Sequence, residues 1–268
     1  MKQWLLIFSL FLCGLANGTL PQAVRSVGGS LYAYDANGNM TVRGNRHLYY
    51  DASNRLGLVS SNSQAIASFG YDGNSSRLWK QSGTNLQVWI GPLYEEKQGK
   101  TLVHVLAGDR LVCTFDSTGT NVFEYYQSDH LRSSSILTDQ TGNRIQHHEY
   151  SAFGRDRFTE SSTAFPVTRR YTGQPLDDET GLYYYGFRYY DPQLARFIQP
   201  DTITSDLFNP QSWNRYSYTH NNPLRYTDPS GHEPEDEDVP LRAGGVRTML
   251  RSGDAGAPRR RRHIIPEP

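Results

Sequence analysis

Two short stretches carry side chains that could bind a metal ion. Residues 35–39, Asp-Ala-Asn-Gly-Asn, alternate oxygen-bearing side chains as calcium-binding loops do, but they lack the full acidic order and the distal glutamate of such loops. His147 and His148, followed by Glu149, offer two imidazoles in a strand-like segment. Neighbouring residues of a strand point to opposite faces, so these imidazoles would diverge. We therefore expect a plain turn at the first stretch, and no metal or cofactor at either.

The N-terminal segment has the layout of a secretory signal peptide. One lysine precedes an apolar run from Trp4 to Leu15, and small residues follow, which predicts a signal peptide over residues 1–18 with cleavage after Gly18. An uncleaved anchor and lipidation at Cys13 are the alternatives. The apolar run is short for a bilayer span, so we expect a secreted or cell-surface chain with no membrane span after processing. Cys113 would then be the only cysteine, and we expect it to be a buried apolar residue.

A recurring four-residue pattern begins with aspartate and ends with glycine or asparagine. An aspartate at the first position of a turn can accept backbone N–H bonds, and the fourth residue takes a left-handed conformation. Such a turn commonly joins two antiparallel strands. The pattern begins at Asp35, Asp51, Asp116, Asp139, Asp178 and Asp228.

The segments beside these turns have the composition of strands. The chain contains 18 tyrosines and 24 glycines and shows no sustained helical periodicity after its N-terminus, which favours hairpins over helices. Residues 110–115 and 121–126 flank one turn, and residues 133–138 and 143–150 flank another. Residues 181–191 are interpreted as one strand with aromatic side chains packed on its faces. One face would carry Tyr183, Tyr185, Phe187 and Tyr189, and the other Leu182, Tyr184, Gly186, Arg188 and Tyr190.

Tyr-Asp pairs recur in the first half of the chain. Their aspartates are Asp35, Asp51 and Asp72, which are 16 and 21 residues apart. A loose repeat of this length indicates stacked β-units that bury a shared face.

These Tyr-Asp units resemble the YD repeats of RHS proteins, and the second half of the chain resembles the RHS repeat-associated core domain. The likeness spans roughly residues 30–231. Arg132 and Ser133 stand where the family has Gly and Ser, and Ser151 and Ala152 replace its Asp-Pro. The supporting blocks are YYQSDHLRSSSILTDQTGNRIQHHEYSAFGR (125–155), RYTGQPLDDETGLYYYGFRYYDPQLARFIQPD (170–201) and NRYSYTHNNPLRYTDPSG (214–231).

The resemblance implies a shell of antiparallel β-hairpins that spiral around a hollow interior and are closed at one end by the core domain. Complete family members are much longer and enclose a C-terminal toxin. We therefore expect a mainly β, partial shell, with a linker at residues 19–29, YD-like repeats at 30–124 and the core domain at 125–231. The chain is identified as a short or orphan member without a recognisable toxin domain. His130, in the family's DHL motif, is expected to form a structural hydrogen bond.

Residues 232–268 change character, with an acidic run and then four consecutive arginines from Arg259 to Arg262. Few large apolar side chains are present there, so this tail is predicted to be disordered. The arginines could bind acidic surfaces or nucleic acid. The net formal charge of the chain is zero and a secreted chain does not meet nuclear DNA, so we expect no nucleic-acid partner.

The resemblance also implies a chemical site. In the RHS family two aspartates near the end of the core domain support self-cleavage, and the matching residues here are Asp201 and Asp228. A carboxylate pair can share one proton, so one acts as a base toward water and the other as an acid toward the carbonyl. The scissile bond would follow His232, where the family has leucine. The alternative is that both aspartates only cap turns. Any cleavage would be one maturation event, not enzymatic turnover.

Three functions therefore stay open. The first is a secreted structural shell or cell-surface interaction module related to toxin-delivery proteins. The second is a self-cleaving carrier that releases its C-terminal tail. The third is an extracellular carbohydrate-binding module for a cell-surface glycan, which would need exposed tyrosine rings, whereas shell packing would bury them. A partial shell leaves strand edges uncovered, so we expect self-association or a protein partner that completes the shell.

Overall fold

The computed structural model describes residues 22–118, 122–162, 167–203, 210–232 and 234–236. The predicted signal peptide and the first part of the predicted linker lie outside the described residues. Most of the predicted disordered tail, including its four arginines, also lies outside them. These three assignments stay predictions.

Within the described ranges, fifteen strands form one antiparallel sheet in which each strand pairs with its neighbours in sequence. The meander follows from the chain's short turns, which return each strand beside the previous one. The predicted mainly β fold of stacked antiparallel hairpins is confirmed. The strands are β1 (Ser26–Val27), β2 (Ser30–Tyr34), β3 (Met40–Arg43), β4 (Arg46–Tyr50), β5 (Leu56–Ser61), β6 (Gln64–Tyr71), β7 (Arg77–Ser82), β8 (Asn85–Ile90), β9 (Tyr94–Lys97), β10 (Lys100–Ala107), β11 (Arg110–Asp116), β12 (Phe123–Ser128), β13 (Ser134–Thr138), β14 (Arg144–Tyr150) and β15 (Asp156–Ser161).

The remaining described residues form smaller elements that follow the large sheet in sequence. Four short strands make a second antiparallel sheet, and two more form a separate pair. These strands are β16 (Leu176–Asp177), β17 (Leu182–Tyr184), β18 (Tyr189–Asp191), β19 (Arg196–Phe197), β20 (Tyr226–Thr227) and β21 (Glu235–Asp236). Three single-turn 3₁₀ segments span Tyr171–Gly173, Pro210–Trp213 and Thr219–Asn221.

The aspartate turns have the predicted chemistry. The Asp139 Oδ1 atom accepts the N–H groups of Thr141 and Asn143 at 2.8 and 2.9 Å. Gly142, the fourth residue of this turn, is left-handed with φ 85°. The same two bonds, to the second and fourth residues further along, form at Asp51, Asp72 and Asp129. The side chain therefore satisfies two N–H groups that the strand ladder leaves unpaired.

The turn before β17 departs from this prediction. Its first residue is Asp177, whose carbonyl accepts the Gly181 N–H at 2.7 Å. The Asp178 carboxylate lies instead 2.9 Å from the Arg170 Nη2 atom. The expectation that Asp178 caps this turn was therefore wrong, because β16 extends to Asp177 and the turn begins there.

Residues 181–191 also depart from prediction, because they form a tight hairpin and not one strand. Tyr183 pairs with Tyr190, and Tyr184 pairs with Tyr189. Gly186, at the reversal between them, is left-handed with φ 79°. The predicted faces were therefore wrong for the residues after the reversal, because side chains alternate between two faces only along a single strand.

The small sheet packs against the large one. A main-chain bond joins the Met40 N–H to the Ile198 carbonyl at 2.9 Å, and the hydroxyls of Tyr71 and Tyr189 lie 3.0 Å apart. One apolar cluster combines both sheets and comprises Met40, Leu48, Leu56, Val59, Ala67, Phe69, Leu182, Tyr189 and Ile198. A second, mostly aromatic cluster comprises Leu131, Tyr171, Leu176, Tyr183, Tyr185, Tyr190, Phe197 and Tyr218.

Candidate self-cleavage site

Asp201 lies in the loop that follows β19 and is fixed by main-chain bonds. Its N–H donates to the Arg215 carbonyl at 2.8 Å, and the Arg215 Nε atom donates to the Asp201 carbonyl at 2.5 Å. Its Oδ1 atom accepts the Ile203 N–H at 2.9 Å. Only 6% of the residue is exposed, so its carboxylate depends on protein groups for hydrogen bonds.

Asp228 begins the tight turn that follows β20. Its Oδ1 atom accepts the N–H of Gly231 at 2.8 Å and the N–H of His232 at 3.0 Å. Asp228 therefore caps its turn, as its sequence pattern indicates. Only 1% of the residue is exposed, so this carboxyl is among the most buried polar groups of the described chain.

Arg188 joins the two aspartates. Its Nη2 atom lies 2.9 Å from the Asp201 carboxylate and 3.2 Å from the Asp228 carboxylate. Its Nε atom donates to the Gly231 carbonyl, and its guanidinium carbon lies 3.7 Å from the centre of the Phe197 ring. The shared cation brings together the two carboxylates that the resemblance indicated. Sequence reasoning missed Arg188, because nothing in its own motif points to a partner 40 residues away.

The environment of Asp228 changes its acidity. Burial, the largest cause, raises the pKa of this carboxyl from 3.8 to about 6. The Arg188 charge and the N–H donors of Gly231 and His232 lower this pKa, and the neighbouring Asp201 raises it. Burial also lowers the pKa of the Arg188 guanidinium. A carboxyl with a pKa near 6 can hold a proton close to neutral pH, as a general acid must.

His232 completes the site beside the predicted scissile bond. Its imidazole Nδ1 atom lies 2.9 Å from Asp201 Oδ1, and its ring centre lies 4.4 Å from that of Phe187. An ionised carboxylate only accepts hydrogen bonds, so Nδ1 is the donor in this contact. The predicted scissile bond joins His232 to Glu233, and Glu233 lies outside the described residues. Both carboxylates are thus within hydrogen-bond reach of the residue that precedes this bond.

The stretches considered for metal binding have other contacts. The Asp35 carboxylate accepts the backbone N–H of Asn39 at 2.8 Å and its side-chain N–H at 3.0 Å, which makes this loop a turn. His147 packs against Phe158 with ring centres 5.2 Å apart, whereas His148 is buried on the opposite face, so the two imidazoles diverge as predicted. Across the ranges that the structure describes, no group of three His, Cys, Asp or Glu side chains could hold a metal ion.

The structure also bears on three further features noted in the sequence. Cys113 is buried and unpaired, as expected for a small apolar residue. The His130 Nε2 atom lies 3.2 Å from the Leu224 carbonyl and so links the large sheet to the C-terminal segment. None of the helical segments in the described part of the chain is long or apolar enough to cross a membrane.

Five of the six tyrosines in the motif of residues 170–201 are buried, and Tyr184 is half-buried. The Tyr185 hydroxyl lies 2.7 Å from the Thr172 hydroxyl and donates to the Tyr218 hydroxyl at 3.2 Å. The Tyr190 hydroxyl donates to the Phe153 carbonyl at 2.8 Å. Their polar atoms are satisfied inside the protein, so these rings provide packing and not a carbohydrate-binding surface.

Comparison with known proteins connects this geometry to one family. The Teneurin YD-shell family model matches residues 22–224. The chain is 29% identical over 211 residues to the tRNA3(Ser)-specific nuclease WapA of Bacillus spizizenii, a match that covers 75% of this chain and 9% of that protein. It is 40% identical over 109 residues to toxin subunit YenC2 of Yersinia entomophaga, which covers 39% of this chain and 10% of that protein.

Solved structures share the fold. The Photorhabdus luminescens Tc holotoxin pore matches with a TM-score of 0.64 at 22% identity, over 75% of this chain and 11% of that one. The TcdB2-TccC3-Cdc42 crystal structure matches with a TM-score of 0.62 at 23% identity, over 74% of this chain and 11% of that one. The chain thus spans about a tenth of the length of these relatives. Because the family match covers most of its residues, the protein belongs to the Teneurin YD-shell family, which confirms the RHS/YD-shell resemblance of its motifs and makes it a structural shell module.

Proposed function

We propose that this chain is a secreted segment of a protein-enclosing β-shell, and that it cuts its own backbone once, after His232. The observation that carries the cleavage proposal is the contact of one Arg188 nitrogen with both Asp201 and Asp228, at 2.9 and 3.2 Å. A shared cation allows two carboxylates to lie side by side. The N–H of His232 on the Asp228 carboxylate keeps the target segment beside them.

In this reaction Asp228 is the acid and Asp201 is the base. Asp201 takes a proton from water, the water oxygen bonds to the His232 carbonyl carbon, and Asp228 gives its proton to the carbonyl oxygen. The tetrahedral intermediate then breaks its bond to the Glu233 nitrogen. That nitrogen takes the proton from Asp201, and Asp228 recovers a proton from one hydroxyl. The products are a chain that ends in the His232 carboxyl group and a peptide that begins at Glu233.

Intact mass spectrometry of the full chain over time tests this reaction. The unaltered chain should give a fragment that ends at His232, and Asp201→Asn and Asp228→Asn should each abolish it. Asp139→Asn is the matched control, because Asp139 caps an exposed turn of similar type and lies outside the site. An unaltered chain that stays intact would overturn the cleavage proposal, and the aspartates would then be turn residues alone.

The role as a shell segment is supported by the edges of the large sheet. In the described structure β15 pairs with β14 alone, and all six of its residues are exposed. An uncovered edge strand is a template for a further strand. We propose that a second copy or a shell-completing protein covers this edge. Light scattering that finds a monomer, together with no binding of an apolar dye, would contradict this part of the proposal.

The names of the similar proteins support the remaining part of the proposal. Two of them are named a toxin subunit and a tRNA nuclease, and we propose that a shell carries such proteins. We propose that this chain acts outside the cell in the same kind of assembly. Detection of the processed chain in the culture medium of the producing cells tests secretion, and retention in the cell with an intact N-terminus would contradict it.

A further inference from the structure

His232 contacts both members of the aspartate pair. Its backbone N–H donates to the Asp228 carboxylate at 3.0 Å, and its imidazole Nδ1–H donates to Asp201 Oδ1 at 2.9 Å. His232, which precedes the proposed scissile bond, therefore also forms a hydrogen bond from its side chain to the proposed base, Asp201.

Two other donors also contact the Asp201 carboxylate. Its Oδ1 atom accepts the Ile203 N–H at 2.9 Å, and its Oδ2 atom lies 2.9 Å from the Arg188 Nη2 atom. Of these donors, only the imidazole belongs to a side chain that can be removed without altering the backbone or the shared cation.

Phe187 restrains the imidazole. Its ring centre lies 4.4 Å from the His232 ring centre, with 33° between the ring planes. The Phe187 N–H donates to the Ser230 carbonyl at 3.1 Å, which ties the tip of the β17–β18 hairpin to the residues just before His232. The imidazole is therefore held between an aromatic ring and the carboxylate.

We infer that His232 is a brake on self-cleavage, because its imidazole N–H occupies the Asp201 oxygen that would otherwise accept the proton of the attacking water. The inference rests on the proposed function and assigns the regulation of self-cleavage to His232. A general base must be within hydrogen-bond reach of the proton that it removes. Removing the imidazole donor frees one lone pair of Asp201 Oδ1 for that water.

Cell-free synthesis of the full chain, followed over time by intact mass, tests the brake. His232→Leu removes the donor and should cleave about tenfold faster than the unaltered chain, since loss of one hydrogen bond to a charged group corresponds to roughly this factor. His232→Asn keeps an N–H donor close to the Nδ1 position and should stay as slow as the unaltered chain. The double variant His232→Leu with Asp228→Asn should not cleave.

A second variant leaves the residue before the scissile bond unchanged. Phe187→Ala removes the ring that restrains the imidazole, so it should also accelerate cleavage, by a smaller factor than His232→Leu. If the unaltered chain cleaves and His232→Leu is no faster, the brake is overturned and the proposed function stands. If His232→Asn is as fast as His232→Leu, the N–H donor is not the cause and the brake is overturned. If the unaltered chain stays intact, the proposed function fails and the brake fails with it.

Discussion

The Arg77 Nη1 atom lies 2.6 Å from the Asp177 Oδ2 atom, and each side chain is 1% exposed. This ion pair joins β7 of the large sheet to β16 of the small sheet, across 100 positions of sequence. Lys80 Nζ lies 3.0 Å from the second oxygen of Asp177, and the Arg77 guanidinium carbon lies 4.4 Å from the centre of the Trp89 ring. One buried carboxylate therefore contacts two cations at the junction of the two sheets, and Lys80 also pairs with Glu179 at 3.0 Å.

Asp177→Asn should strongly destabilise the fold, because it leaves the buried Arg77 without its counter-charge, whereas Lys80 keeps its ion pair with Glu179 at 3.0 Å. Removing one partner of a buried pair costs about 3–5 kcal/mol. Urea unfolding followed by tryptophan fluorescence would measure the change in unfolding free energy. Asp51→Asn is the control, because the Asp51–Arg55 pair is partly exposed and such pairs contribute about 0–1 kcal/mol. Equal losses in the two variants would show that the buried pair does not hold the sheets together.

Arg132→Gly should be more stable than Arg132→Ala by about 1 kcal/mol. Arg132 has φ 69° at the turn position where Gly142 stands in the next hairpin. Both substitutions remove the ion pair between Arg132 and Asp109, so their difference isolates the cost of a side chain in the left-handed region. Urea unfolding of the two variants measures it. A glycine variant no more stable than the alanine variant would indicate that this turn is not strained.

Gly154→Ala should cost more stability than Gly142→Ala, although both glycines occupy the same turn position. Their φ angles are 79° and 85°, so the left-handed strain is matched. A Cβ atom at residue 154 would overlap the Tyr171 ring, whereas one at residue 142 meets no atom within 4 Å. Overpacking adds roughly 1–3 kcal/mol to the shared strain. Equal unfolding free energies for the two variants would mean that Tyr171 can move aside.

The turns could be predicted from sequence because their interactions are local. The Asp139 carboxylate binds N–H groups two and four residues further along, and a four-residue pattern contains most of that information. The pairing of β11 with β12 and of β13 with β14 followed from the same signal. Strand identity and hairpin order in the large sheet are therefore readable from composition and turn residues.

The hairpin of residues 181–191 could not be predicted in this way. A run of tyrosines indicates a strand, but its reversal depends on pairing of Tyr183 with Tyr190 and on contacts with distant strands. Arg77 bonds to Tyr184 and Asp177 from about 100 positions away, and no local pattern records such contacts. Arg188 was missed for the same reason, since its two carboxylate partners are separated in sequence and meet only in the fold.

The rate of self-cleavage should fall as pH rises above about 6. Burial raises the pKa of the Asp228 carboxyl from 3.8 to about 6, so this group keeps its proton below that pH and loses it above. Because Asp228 is the proposed acid, its active form is the protonated one, and the rate should drop toward tenfold for each pH unit beyond the pKa. Intact mass measured over time from pH 5 to pH 8 gives the profile, with tryptophan fluorescence as the control for folding. A rate that rises through pH 6 would reverse the roles of Asp201 and Asp228, and a flat profile would mean that protonation of Asp228 does not limit the reaction.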